Sequence, residues 1–404
     1  MATQTTKSTI PDHIQPELVW DHSLDRFNME MDDPFLAGSR LHEGPDIIWS
    51  TEASHGTPGW VITRHDLIEE AFIDYKHFSS QRGSNIDAVM GSAMRMLPTE
   101  VDPPEHHAYR RILTPYFTPK AVSALDDEVR KTCDDLIAKF ADKGGCEFIA
   151  DFARIFPNSI FLSLMGMPVE MLPQFLEWED MIMRGKDQAT RHQGVAAIMG
   201  YVKGFVDEQK QKPRSELIKA ITTADVNGRP MNDIELVGMC FLLYVAGLDT
   251  VYSTLGWVMR YLASDQALQQ RLHDNPQDIP QAVDEFTRAF GVPSSSRTVT
   301  EDFTFHGVKM RKGDVVLLPT YLASRDPRTY ENPHVIDIDR KARSVSFATG
   351  PHACVGIHLA KREIRTVVEA FVSRFRNIRI PEGKGYEYHT GGVLGVDRLP
   401  LEWD

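Results

Sequence analysis

The run FATGPHACVG at residues 347–356, continuing into IHLAKREIRTVVEAFVSRF at 357–375, decides how this chain is read. It sets Cys354 in a glycine-punctuated loop directly before an amphipathic helix. The free N–H groups and positive end of that helix favour the thiolate over the thiol, and a thiolate is a soft ligand suited to iron. Gly350 and Gly356 permit sharp turns and a close approach of backbone to a flat macrocycle, where a Cβ would collide. A lone cysteine is more often a small buried hydrophobe, so Cys354 by itself leaves both readings open.

The rest of the chain is that of an ordinary globular protein: 404 residues, 42% hydrophobic and 25% charged. No linker, charge block or repeat divides it, so one domain is expected at 16–404 behind a loose polar tail at 1–15. The opening MATQTTKSTIPD has neither the basic start nor the apolar stretch of a signal peptide. Cys133, Cys146, Cys240 and Cys354 are scattered without disulfide or zinc spacing, which fits a reducing cytoplasm. The longest uncharged run, 236–248, is shorter than the ~20 apolar residues of a membrane span. A net charge of −13 argues against nucleic acid as a partner.

Apolar residues recur three and four apart in 120–140, 150–165, 196–210, 232–263, 266–290 and 356–376, which predicts a mostly α protein. Short β-branched runs at 57–63, 297–308, 314–319 and 393–402 predict small peripheral sheets. The aperiodic segment 81–98 reads as a long loop over a substrate site. Segment 232–263 makes a helix of about 48 Å at ~1.5 Å per residue, interrupted by Ala246-Gly247-Leu248-Asp249-Thr250. Glycine there costs ~1 kcal/mol relative to alanine, and threonine competes for backbone carbonyls. Alone, that is a helix irregularity. Likewise Glu285 and Arg288 share one helical face, and His106 and Arg110 share another after the helix start at Asp102-Pro-Pro; each pair alone reads as a polar surface.

Taken together, the motifs resemble the cytochromes P450. That family's signature F-x-x-G-x-[HR]-x-C-x-G is matched at every defined position by Phe347, Gly350, His352, Cys354 and Gly356. The resemblance implies a single prism-like domain of about a dozen helices with small peripheral sheets. It also implies haem b between the long central helix and the cysteine-loop helix. It implies that Cys354 is the axial thiolate and iron ligand, that Phe347 packs beside it, and that His352, His106, Arg110 and Arg297 reach the haem propionates. Glu285 and Arg288 match the E-x-x-R pair that braces the haem core. Ala246, Gly247, Asp249 and Thr250 match [AG]-G-x-[DE]-T, in which the helix kinks, the hydroxyl steadies water at the oxygen site and the acid feeds protons.

Electrons require a separate donor, because no dinucleotide fingerprint, flavin or iron–sulfur segment is present. The resemblance implies a 2Fe–2S ferredoxin with its reductase, docking near Arg110, Arg111, Lys341, Arg343, Lys361 and Arg362. Monomer is the default state. The LLYVAGLDTV, FHGVKMRKGD, HLAKREI and LPLEWD runs resemble the bacterial camphor 5-monooxygenase subfamily, whose members hydroxylate compact bicyclic monoterpenoids. The expected pocket comprises Ile86, Met94, Met96, Met183, Leu242, Val245, Pro293, Gly392 and Val393. Met94 falls where the camphor enzyme has a tyrosine that donates to the ketone, and a thioether cannot donate. A ligand needing no donor, such as 1,8-cineole or a terpene hydrocarbon, is therefore expected, unless Tyr244 or Asn85 restores the contact. Only Arg184 is left to hold Asp249, since the matching lysine site is Leu176. The alternatives are a camphor hydroxylase, a non-catalytic haem-thiolate sensor, and a peroxide-driven or isomerase member. The acid–threonine pair speaks against the last two.

Overall fold

The computed structural model describes residues 10–54, 56–81, 94–341 and 343–404. Helix dominates, as the periodicity predicts. The helices of nine residues or more among the described residues are α1 (His65–Ile73), α2 (Glu105–Leu113), α3 (Asp126–Ile137), α4 (Phe156–Met165), α5 (Leu172–Arg184) and α6 (Gln188–Gln211). They continue with α7 (Asp233–Leu248), α8 (Thr250–Leu262), α9 (Gln266–Asp274), α10 (Ile279–Ala289) and α11 (Ile357–Arg374). Of the expected tail, residues 1–9 lie outside the described residues, as do 82–93 of the expected lid.

One sheet is larger than the small peripheral sheets expected, and the others among the described residues are two-stranded. Strands β1 (Val19–Ser23), β2 (Ile47–Ser54), β3 (Thr57–Ile62), β4 (Phe78–Ser79), β5 (Ser294–Val299) and β6 (Val315–Pro319) form one sheet in the order β1-β2-β3-β6-β5-β4. Segment 297–308, read as one run, splits at the Thr300–Asp302 turn into β5 and a separate hairpin. Near the C-terminus β7 (Glu387–His389) pairs antiparallel with β8 (Gly395–Arg398).

The central segment is two helices, with Asp249 between them at φ −100° and ψ −42°. Its 30 residues from Asp233 to Leu262 are apolar and long enough to cross a bilayer. Most of that surface is instead buried in the protein, where Leu236, Met239, Cys240, Phe241, Leu248, Leu255 and Trp257 fill the core. Burial all round explains why the segment is hydrophobic without a polar face. Its start is fixed by a capping box, Asn232 with Glu235. Glu235 also accepts from the Tyr109 hydroxyl at 2.8 Å and from Arg229 at 2.6 and 2.8 Å. Arg229 first, and then the Asn232 amide and Tyr109 hydroxyl, outweigh desolvation and hold its carboxyl down to about 2. This one carboxylate therefore locks α2 against the N-terminal end of α7.

A second lock fixes α10. Glu285 and Arg288 meet at 2.7 and 2.9 Å with both side chains 2% exposed, and Arg340 adds a third charge at 3.2 Å. Arg288 donates further to the carbonyls of Ser324 at 2.6 Å and Pro333 at 3.0 Å. A buried charge needs every one of these partners, and here they tie α10 to the loops that lead into the cysteine segment.

Candidate active site

A cavity of about 280 Å³ lies between α7–α8 and the cysteine loop. Its wall carries Ala246, Gly247, Thr250, Pro293, Phe347, His352, Cys354 and Gly356, so residues more than a hundred positions apart in sequence converge there. Around them the lining is mainly apolar, with Phe117, Phe161, Leu243, Val251, Val292 and Leu359 among its members.

The cysteine loop is built by local backbone chemistry. The Cys354 amide donates to the Phe347 carbonyl at 2.9 Å, closing the loop. Ala348 and Gly350 both take left-handed conformations, φ +55° and +68°. A Cβ on Gly350 would also lie 3.0 Å from the Phe72 carbonyl at the end of α1, so glycine is required twice over. Gly356 has no such strain, and a Cβ there would stand 3.9 Å from the Cys354 sulfur.

The amides of Gly356 and Ile357 bond the Cys354 sulfur and Arg110 acts on it from a distance, all favouring the anion. Burial nevertheless pushes the thiol up. Desolvation on one side thus opposes two amides and one cation on the other. A metal at the sulfur would favour the thiolate further, and the sulfur is accessible from the cavity it lines.

At another side of the loop stand four groups that all favour an anion. The rings of His106 and His352 meet edge to face at 4.4 Å. Neither nitrogen of His106, nor Nε2 of His352, has a hydrogen-bond partner among the described residues. Burial, then Arg110, pushes His106 down to about 4; burial, then Arg297 and His106, pushes His352 down to about 3. Arg297, on β5, is buried and lowered to about 10 by desolvation. It donates to the Ser296 carbonyl and stacks over Phe72, with no carboxylate at ion-pair distance among the described residues. Asp102 comes within 3.9 Å of His352 but already accepts from the Ser79 hydroxyl and the Ser80 amide. Orphaned buried imidazoles beside two arginines fit a ligand bearing carboxylates, and a cavity-facing sulfur fits its metal. An iron porphyrin with propionates combines both.

The helix break has a physical cause. A Cβ on Gly247 would lie 2.7 Å from the Phe161 ring, so glycine admits that ring against the helix. Thr250 bonds the Ala246 carbonyl at 3.4 Å, and Ser253 donates to Asp249 at 3.3 Å, where both are buried. Near this point Arg154 bonds Asp180 at 2.9 Å, lies 3.6 Å from Glu179 and sits over the Tyr252 ring. Sequence reasoning missed Arg154, which reads as an ordinary surface charge. The side chain of Arg184 lies outside the described residues, and Leu176 packs against the core. Sequence reasoning also missed Glu363, which reads as part of the polar face of α11. It is 2% exposed, it lines the cavity, and burial holds its carboxyl well above the usual range.

Of the expected pocket, Pro293 lies on the wall and bridges to Val393, while the Ser294 amide donates to Gly392. Leu242 and Val245 are partly buried against the core. Met94 and Met96 are buried, Met94 beside Gly238 on α7, and neither forms the wall as the described residues bound it. Ile86 and Asn85, and the side chain of Met183, lie outside the described residues. Tyr244 does not restore a donor toward a ligand, because its hydroxyl is spent on the Phe175 carbonyl at 2.7 Å. The proposed basic surface is also weaker than its count of cations implies. Arg343 pairs with Glu69, Lys361 with Asp284 and Arg362 with Asp126, which leaves Arg111 and Lys341 as exposed cations without such partners among the described residues.

A family model described as "Cytochrome P450" matches residues 175–394. Probable cytochrome P450 127A1 of Sinorhizobium fredii is 32% identical over 402 residues, covering 98% of this chain and 97% of that one. Cytochrome P450(BM-1) of Priestia megaterium is 28% identical, covering 90% and 95%. The crystal structure of CYP101J2 superposes with a TM-score of 0.88 at 31% identity, covering 98% and 100%; that of CYP101C1 gives 0.88 at 29%, with the same coverage.

Proposed function

From the premise that the chain belongs to the cytochrome P450 family and is a haem-thiolate monooxygenase, we propose that it hydroxylates a small bicyclic monoterpenoid with electrons from a 2Fe–2S ferredoxin. The observation that carries the site reading is the convergence of Cys354, Thr250 and the His106–His352 pair on one cavity and its rim. Haem bound there supplies dioxygen binding, its reduction, and transfer of one oxygen atom to the substrate.

The chain's own groups do the rest. Cys354 holds the metal through its sulfur, assisted by the Gly356 and Ile357 amides. His106, Arg110, Arg297 and His352 orient the macrocycle by its carboxylates. The Thr250 hydroxyl, on the cavity wall at the helix break, orders water there, and Asp249 holds and releases a proton behind it. Phe161, Leu243 and Val251 exclude water from an apolar substrate and give it no hydrogen-bond donor. With Tyr244 committed to Phe175 and the apolar Phe161, Leu243 and Val251 on the wall, a cyclic ether such as 1,8-cineole or a terpene hydrocarbon suits the site better than a ketone. Arg110, Arg111, Lys341, Arg343 and Arg362 form the face for an acidic donor protein, with Arg111 and Lys341 its least compensated charges.

Optical titration of the ferric protein with camphor, 1,8-cineole and terpene hydrocarbons tests the substrate reading through the low- to high-spin shift. Saturation at low cineole with little response to camphor supports it; tighter binding of camphor overturns it. Cys354→Ser should abolish the thiolate signature of the reduced carbon monoxide complex.

A further inference from the structure

We propose that His389 and Ser253 form a proton entry route to Asp249, running from the surface through the β7–β8 hairpin. The inference rests on the reading of Asp249 as the acid of the site. It starts from Gly395, which pairs directly across the hairpin with His389. Its φ is not in the left-handed region, so conformation does not call for glycine there. Space does: a Cβ would lie 2.3 Å from His389 Cε1, 2.8 Å from His389 Nε2 and 2.8 Å from Ser253 Oγ. The glycine thus lets an imidazole of the hairpin and a hydroxyl of α8 pack close to each other against its backbone. Both polar atoms lie 2.8 Å from one point, which bounds their separation at about 5.6 Å. No direct hydrogen bond joins them among the described residues, and that span is the reach of one bridging water.

Burial grades along the series. Asp397 is 34% exposed and His389 22%, whereas Asp249 is 3% exposed and Ser253 is fully buried. His389 Nδ1 lies 2.8 Å from Asp397 Oδ1. An ionised carboxylate only accepts, so Nδ1 carries the hydrogen and Nε2 is left as the acceptor on the side of Gly395 and Ser253. Ser253 Oγ donates to Asp249 Oδ1 at 3.3 Å, and Asp249 precedes Thr250 on the cavity wall.

The transfer balances as follows. Nε2 takes a proton from solvent, and the imidazolium is stabilised by Asp397. Nε2 passes that proton through the bridging water to Ser253 Oγ, whose own hydroxyl proton moves to the Asp249 carboxylate. His389 returns to its Nδ1–H form, and the net change is one proton moved from solvent to Asp249. No redox partner is needed for this step.

The test compares D249N, S253A, S253T and H389F in the haem-loaded enzyme. S253A and H389F should slow turnover by about tenfold and enlarge the solvent deuterium isotope effect, while S253T, which keeps the hydroxyl, should stay near wild type. A second readout is independent of turnover: in the diamagnetic reduced carbon monoxide complex, D249N should shift the ¹⁵N resonances of His389, and S253A should remove that response. D397N, a surface change at the route's entrance, gives the same comparison if H389F folds poorly, which haem content reports. Wild-type turnover in S253A and H389F beside a slow D249N overturns the route and leaves the site reading standing. Wild-type turnover in D249N overturns the site reading itself.

Discussion

Replacing Glu285 by alanine removes the acceptor of two bonds from Arg288, at 2.7 and 2.9 Å, one from Arg340 at 3.2 Å and one from the Asp337 amide at 3.0 Å. Arg288 would then keep its charge in a site where its side chain is 2% exposed, with carbonyl oxygens as its remaining partners. Breaking a buried pair by removing one partner costs about 3–5 kcal/mol, and the stranded Asp337 amide adds about 1–3 kcal/mol. Against a total stability of about 5–15 kcal/mol, this is about a quarter or more of the margin that keeps α10 and the cysteine loop in place. The assay is urea unfolding of the purified protein by far-ultraviolet circular dichroism, with haem content measured on the same samples. E285A should lose most of its haem and unfold at a much lower urea concentration. The double variant E285A/R288A should be little worse than E285A, because the unpaired charge has gone. A loss below about 1 kcal/mol, or fully additive losses, would refute the argument that this pair locks the haem-binding core.

Three further outcomes follow from the geometry. His106 and His352 are held neutral, at about 4 and about 3, below the ordinary histidine value. The unfolded chain therefore binds more protons below about pH 6.5, and the apoprotein should lose about 1.4 kcal/mol per pH unit per histidine from there toward pH 4. Propionates beside both rings favour their protonated forms, so the haem-loaded protein should show a shallower loss; equal urea midpoint changes between pH 7.5 and 5 would place the carboxylates elsewhere. Gly247→Val should cost about 1–3 kcal/mol by driving a side chain into Phe161, and Phe161→Leu should recover part of the lost thermal midpoint. Gly350→Ala should cost about 1–2 kcal/mol for the left-handed conformation alone and should reduce haem retention, whereas Gly385→Ala, which meets no neighbour within 4 Å, should do neither.

What could be read from the residues was local or periodic. Recurrence at three and four gave the helices, and the break at Ala246–Thr250 was visible because glycine and threonine oppose a helix that apolar burial otherwise sustains. The cysteine loop was legible because backbone turns write glycine into fixed positions, as Gly350 shows. Glu285 with Arg288 was legible as a spacing and weightless as such, since the meaning of two charges depends on whether water surrounds them. The reach of β5 into a six-stranded sheet was not legible, because strand pairing joins residues whose sequence separation carries no periodic signal.

The sequence by itself determined the helical class, the cysteine loop and the haem-thiolate chemistry, because each is specified by residues close together in the chain. Only the tertiary structure decided the electrostatics and the free donors. It showed that Glu363 is buried on the cavity wall, that Tyr244 is already bonded, that Arg343 and Arg362 are offset by acids, and that Gly395 lets His389 and Ser253 pack close to each other. The physical reason is common to all four: a side chain's charge, its free hydrogen bonds and its room to move are set by dielectric and by neighbours brought from distant segments, and those exist only once the chain has folded.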